Sequence, residues 1–355
     1  MTKDKAYYLE RFRREPLTVA PGQDFTVRPF QPGDELGIAR LYHAVYGEEY
    51  PFEQYYIPER ILRLNLDHDL CSVVSRATDG SIVGHWALFR SSPPYPRLME
   101  VGQGLVLSNY RKSGMASLMN DCTHRVVAPR APADGIFGEA VTNHTVTQVF
   151  DVAASMTDYA VELGLLPPGS GREGARGRVS CVIQFVTLQD REHTVHVPRC
   201  YEKEIEFLVS DADFKRCYRT SRKPLPADRQ TRHQVTAFPQ ARTTRFTFFE
   251  LGGDFPAAIG RLEEQARRDG FVTLQSFLNL GEEAVGAAVD VLRERGWLLG
   301  GYLPRWFDTD GLLLQKIEEP PDFDSIKLYS RKAKDILEMV RASGVGPRQP
   351  SDSTR

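Results

Sequence analysis

The stretch Val-Leu-Ser-Asn-Tyr-Arg-Lys-Ser-Gly-Met-Ala at positions 106–116 joins an apolar run to a helical one. Upstream, residues 99–107 mix apolar and β-branched side chains as a largely buried strand does. Downstream, Met115, Leu118, Met119 and Cys122 recur at helical spacing within 115–127. Ser113 and Gly114 fall at the turn between them. The first N–H groups of a helix lack intrahelical acceptors and lie at the positive end of its dipole, so small residues there let a diphosphate approach. Gly114 has no side chain to obstruct it, and Arg111 and Lys112 add positive charge. The same residues would also suit an ordinary turn with a solvated basic pair. Neither the dinucleotide nor the P-loop glycine pattern surrounds them.

Working outward, Phe25 and Val27 open a strand after an arm, 1–24, that reads as loose. Residues 34–45 form a helix with Ile38, Leu41 and Tyr42 on its apolar side, and Pro58 starts a second helix to 64. Runs at 70–75 and 81–89 flank Thr78-Asp79-Gly80, a good hairpin turn. After the loop-bearing strand and its helix, 134–141 reads as a strand, and a helix is expected over 145–163.

In this order of elements, Arg111-x-x-Gly114-x-Ala116 resembles the acyl-coenzyme A pyrophosphate loop of the GCN5-related N-acetyltransferase (GNAT) superfamily, usually Gln/Arg-x-x-Gly-x-Gly/Ala. The resemblance covers about 25–165. It implies an α/β fold, a mixed splayed sheet flanked by helices, in which acetyl-CoA or another acyl-CoA is the co-substrate. Cofactor contacts are then expected from Leu105, Val106 and Leu107 on the strand, from Arg111, Lys112, Ser113, Gly114, Met115 and Ala116 in the loop, and from Asn143 near the thiol or pantetheine arm. Asn143 equally suits a turn or a helix cap. Where many relatives carry a tyrosine that protonates the departing thiolate, this chain has Val149, Phe150 and Asp151. Tyr159, about two turns later on the expected helix, is a candidate acid or a packing residue.

Transfer from a thioester to an amine needs a proton acceptor. Glu139 and Glu100 interrupt fairly apolar strands, and either could serve, directly or through water. Glu139 is preferred and Glu100 is its rival, because strand parity decides between them and sequence does not fix the register.

Residues 167–178 are Gly-rich and charged, which suggests a mobile loop before a strand at 179–188. His193 and His196 would face opposite sides of a strand-like run, so no metal site is expected. Residues 209–240 lose apolar periodicity and read as connecting structure, with a linker near Pro224 and Pro226. Strand-helix-strand-helix-strand order then returns from 243 to 316, followed by a helix at 335–340 and an end beyond Ser343 that frays. No second Arg-x-x-Gly-x-Ala occurs there. The expected organisation is a catalytic GNAT-like domain at 25–210 and a partial, degenerate GNAT-like domain at 241–340 that binds no coenzyme. The second domain shapes the acceptor side or a homodimer, with Trp306, Phe307, Asp308 and Asp310 as candidate acceptor contacts.

The 355 residues are 41% hydrophobic and 26% charged with formal net charge −2, which fits a folded chain and argues against a dominant nucleic-acid surface. Five scattered cysteines without Cys-x-x-Cys, no signal-like core and no long apolar span suggest a cytoplasmic protein that is not membrane-bound. The expected activity is N-acyl transfer, foremost acetyl transfer, to an amine-bearing small molecule or amino-acid derivative. The alternatives are a non-enzymatic acyl-CoA-responsive interaction protein and a peptide or protein N-acetyltransferase.

Overall fold

The computed structural model describes residues 4–169, 177–319 and 321–344. Two compact units divide the chain, Met1–Phe137 and Gly138–Arg355, with the division inside a strand of the segment expected as the first domain.

In unit 1 the order is α1 (Lys5–Arg14), β1 (Phe25–Pro29), α2 (Glu35–Tyr46), α3 (Pro58–Leu66), β2 (Leu70–Ala77), β3 (Ile82–Phe89), β4 (Leu98–Val106), α4 (Met115–Cys122) and the start of β5 (Gly135–Val141). Strands β1 to β4 pair antiparallel in sequence order, and β5 joins β4 in parallel. A core of Ile38, Leu41, Tyr42, Ile61, Val74 and Ile82 lies between the helices and the sheet. Burying each such side chain contributes about 1.5–3 kcal/mol. Two glycines set the distance of closest approach. A Cβ on Gly37 of α2 would come within 2.5 Å of Ile82, and one on Gly84 of β3 within 2.7 Å of the Met115 sulfur. The second contact seats the first residue of α4 directly on the sheet.

The remainder of β5 opens unit 2, followed by α5 (Val146–Ala153), β6 (Thr157–Leu166), β7 (Val179–Thr187), β8 (His193–Pro198), α6 (Glu202–Val209), β9 (Arg216–Ser221) and β10 (Arg232–Phe238). The series closes with β11 (Thr243–Glu250), α7 (Phe255–Arg268), β12 (Thr273–Asn279), α8 (Val285–Glu294), β13 (Leu298–Leu303), β14 (Gly311–Ile317) and α9 (Arg331–Ser343). The main strand order is β7-β6-β13-β14-β12-β11-β10, and β8 and β9 form a separate parallel pair. Strand β6 pairs with both β7 and β13, which joins β6 and β7 to the later strands within one unit. At Gly301 this approach is so close that a Cβ would lie 2.2 Å from the Tyr159 carbonyl oxygen.

Several sequence expectations change. The arm 1–24 contains α1, whose Asp4 side chain caps the Tyr7 N–H and whose Tyr8, Leu9 and Phe12 are buried. The helix expected over 145–163 stops at Ala153. Ser155 turns the chain at φ +63°, and the following run, buried on both faces, becomes β6. A doubly buried strand lacks alternation, so periodicity cannot distinguish it from a buried helix. Residues 209–240 contain β9 and β10, largely exposed strands that offer little apolar pattern. Most of the Gly-rich loop (170–176) and the end beyond Gly344 lie outside the described residues.

Candidate functional site

At the end of β4 the chain leaves the sheet with the Leu107 N–H donating to the Val83 carbonyl (2.9 Å), and a short turn follows. Its Asn109 and Tyr110 side chains bond the Val19 and Ala20 carbonyls at 3.0 and 2.9 Å. Lys112 at φ +65° and Gly114 at φ +81° then curl the backbone into the start of α4. The first α4 hydrogen bond runs from Leu118 N–H to the Gly114 carbonyl, 3.2 Å. Among the described residues the N–H groups of Lys112 through Ser117 have no protein acceptor. A Cβ built on Gly114 meets nothing within 4 Å. Arg111 and Lys112 are exposed and form no ion pair among the described residues. The result is a run of backbone donors without protein acceptors, beside open space at Gly114 and two exposed cations, chemically suited to an anion.

Strand β4 itself is irregular where it approaches this loop. Its pairing with β5 runs only from Leu98↔Gly135 to Glu100↔Phe137, so β4 outruns that pairing by the six residues Val101–Val106. On the other side, Gln103 and Gly104 oppose the single residue Trp86, which makes a bulge. Gln103 sits at φ +56°, and three groups hold it there. The Tyr42 hydroxyl donates to Gln103 Oε1 at 2.9 Å, and the Tyr50 hydroxyl donates to the same oxygen. His85 Nδ1 lies 3.2 Å from the Gln103 carbonyl and Nε2 lies 3.0 Å from Ser72 Oγ. A carbonyl only accepts, so the proton is assigned to Nδ1 and Ser72 donates to Nε2. Complete burial pushes the imidazole down to about 4, so it is neutral at physiological pH.

Glu100 occupies the last β4 position paired with β5. It is half-buried, and its charge is felt by the Tyr50 and Tyr55 hydroxyls, which burial has already raised well above the usual phenol range. Tyr42, Tyr46, Tyr50, Phe52 and Tyr55 pack with neighbouring ring centroids 4.6–6.2 Å apart. Sequence reading did not single out this aromatic group, although five aromatics within fourteen residues could have signalled it.

The remaining expected site residues lie in unit 2. Glu139 is held by Arg245 at 2.8 Å, and Arg245 also reaches Glu162 at 3.2 Å. Burial, then the Glu139 charge, raises the Glu162 carboxyl. Asn143 is buried between β5 and α5, and Thr145, not Asn143, occupies the cap position. Tyr159 is on β6 rather than on a helix, with its ring against Phe185, Phe214 and Tyr302. Among the late acceptor candidates, Trp306 and Asp310 are buried. Asp310 accepts from Arg216 (2.6 Å), Tyr302 and the Arg305 N–H (2.8 Å), so it supports structure rather than facing a ligand.

Unit 2 contains a junction of the same type, β11 followed by Leu251-Gly252-Gly253-Asp254 and α7, but the chain fills it. Gly253 N–H donates to the carbonyls of Pro226 (2.7 Å) and Arg229 (3.1 Å), Gly252 N–H to Thr231 Oγ1 (3.1 Å), and Leu251 N–H to Glu282 (3.1 Å). A Cβ on Gly252 would lie 2.1 Å from the Arg229 carbonyl oxygen. Asp254 adds a carboxylate at the helix start, and β11 pairs with β12 over six residue pairs without the early stop seen in β4.

No family model and no curated protein matches this chain. Solved structures similar to it include ribosomal-protein-S5-alanine acetyltransferase from Vibrio fischeri (13% identity, covering 50% of this chain and 100% of that one, TM-score 0.36). An acetyltransferase of the GNAT family from Staphylococcus aureus Mu50 matches at 13% identity, 47% and 100% coverage, TM-score 0.34. YncA of Salmonella typhimurium, solved with its cofactor acetyl-CoA, matches at 12%, 48% and 97%, TM-score 0.37. The mixed sheet flanked by helices is the fold class expected from the loop resemblance. Likeness at this level does not extend to acceptor or reaction.

Proposed function

We propose that this chain is an acyl-CoA-dependent N-acyltransferase of the GNAT type, with acetyl-CoA as the foremost donor and an amine-bearing small molecule as acceptor. The observation that carries the reading is the row of acceptor-less N–H groups from Lys112 to Ser117 around the open space at Gly114. These donors, with Arg111 and Lys112, would hold the diphosphate. Leu105, Val106 and Leu107 would meet the pantetheine arm, whose amides could pair with β4 as an added strand does.

Acyl transfer then requires the amine nitrogen to attack the thioester carbonyl carbon, the carbon–sulfur bond to break, and the amine proton to pass to a base. Glu100 is the base in this reading, directly or through water. It stands on the loop-bearing strand at the point where the β4–β5 pairing stops. The departing thiolate takes its proton from solvent or from the protonated base, and Tyr159 has no part.

The test is calorimetric titration of acetyl-CoA into Gly114→Val. The branched side chain enters the diphosphate space and opposes φ +81°, and affinity should fall at least about tenfold. Unchanged affinity in a folded variant sinks the placement, and binding without thiol release across a broad amine panel sinks the enzymatic reading.

A further inference from the structure

Strand β10 ends the main strand order of unit 2 and uses only one of its edges. It pairs antiparallel with β11 from Arg232 to Phe238, and no strand lies beyond it among the described residues. In unit 1, β3 likewise stands antiparallel beside β4, but there β2 and then β1 cover its outer side. Half of the backbone N–H and C=O groups of a strand point to each edge. Those on the outer edge of β10 have no backbone partner among the described residues, and residues 232–235 and 237 are exposed. We propose that β10 is a dimerisation edge, on which a second copy of this chain pairs antiparallel through its own β10.

The occupant follows from the strand itself. Edges that natural proteins keep unpaired carry proline, lysine, a bulge or a covering segment. β10, Arg-His-Gln-Val-Thr-Ala-Phe, has no proline, glycine or lysine, and the irregularity in its ladder comes from Phe249, the extra residue on β11. Only one antiparallel register pairs all seven residues with a second copy. In it Val235 meets the partner's Val235 on the two-fold axis, Gln234 meets the partner's Thr236, His233 the partner's Ala237 and Arg232 the partner's Phe238. The β-branched Val235, 47% exposed, gains a cross-strand neighbour, and the amide of Gln234 gains a hydroxyl. Arg232, which already lies 4.7 Å from the centroid of Phe249, gains a second ring. It is the only residue of the strand with a fixed charge, and the two copies of it stand at opposite ends, about 20 Å apart, so no like charges are opposed. An unrelated peptide would have to match this pattern by chance, whereas a second copy matches it by symmetry. The edge is also preformed: the Thr231 N–H donates to Asp254 at 2.7 Å just before it, and Arg242 at φ +50° turns the chain soon after it. Such pairing supplies about six to eight backbone hydrogen bonds over a small area, which implies a reversible dimer.

The test is sedimentation velocity and amide hydrogen exchange on the full chain without coenzyme. A reversible dimer is expected at about 100 µM protein, with amides in 232–238 exchanging at least about tenfold more slowly there than at about 1 µM. Val235→Lys and Val235→Glu each set like charges against one another across the two-fold axis and should raise the dimer dissociation constant at least about tenfold. An equimolar mixture of the two variants should restore the dimer, which a folding defect in either would not allow. A parent chain that stays monomeric at about 100 µM overturns the proposal. So do a dimer that persists in Val235→Lys, a mixture that stays monomeric, and exchange at 232–238 that does not depend on concentration. Omitting coenzyme separates the result from the transferase reading, which stands or falls on Gly114→Val.

Discussion

At the scale of single residues, charge and conformation decide which candidates can do chemistry. Glu100 and Glu139 are the same side chain on neighbouring strands in sequence, yet Glu139 shares Arg245 with the buried Glu162. A carboxylate accepting from a guanidinium is a poor proton acceptor until that bond is given up. With Glu100 as the proposed base at the end of the β4–β5 pairing, Glu100→Gln should lower kcat/KM for acyl transfer at least about tenfold and change its pH profile while leaving coenzyme affinity unaltered. Glu139→Gln should act chiefly on stability. A rate loss confined to Glu139→Gln, measured across pH, would move the base there. The register that separates these two residues was invisible in the sequence, because what occupies Glu139 is Arg245, 106 positions away.

Elements show how two similar strand-to-helix junctions differ in the space and the backbone donors they leave open. The start of α4 has Gly114 facing open space and unsatisfied N–H groups, whereas the start of α7 has its donors taken by Pro226, Arg229, Thr231 and Glu282. An anion at α7 would have to displace these bonds and approach the Asp254 carboxylate. One acetyl-CoA per chain is therefore the expected calorimetric stoichiometry, and a ratio of two would contradict it. Absence of the Arg-x-x-Gly-x-Ala pattern already pointed this way in the sequence. The plug itself was not legible, since residues 226–231 read only as a proline-bearing linker.

For the whole molecule, buried acids set how stability follows pH. Burial, with a smaller contribution from Asp158, pushes Asp151 on α5 up to about 7 from 3.8. The native state thus keeps a proton that the unfolded chain has lost. Its stabilising effect is complete below the unfolded value and disappears as pH rises towards 7, at about 1.4 kcal/mol per pH unit within that window. Asp151→Asn carries no such proton. Urea unfolding should show the stability of the variant relative to the parent rising between pH 4 and 7, and parallel pH slopes for the two chains would contradict the assignment. Among the described residues no helix is long and apolar enough to cross a membrane.

By itself the sequence determined the strand-to-helix junction at 106–116, the helices α2, α3, α4 and α7, and the hairpin β2–β3, because each rests on local chemistry: small residues at a turn, a capping or proline start, a 3.6- or 2-residue period. Tertiary structure alone decided the rest. It converted 157–166 into a strand buried on both faces and clamped Gln103 from Tyr42, Tyr50 and His85. It also gave Glu139 to Arg245 and filled the start of α7 with residues from both sides of it in the chain. Each of those outcomes depends on partners tens of residues apart, and a long-range contact leaves no periodic trace in the segment that receives it.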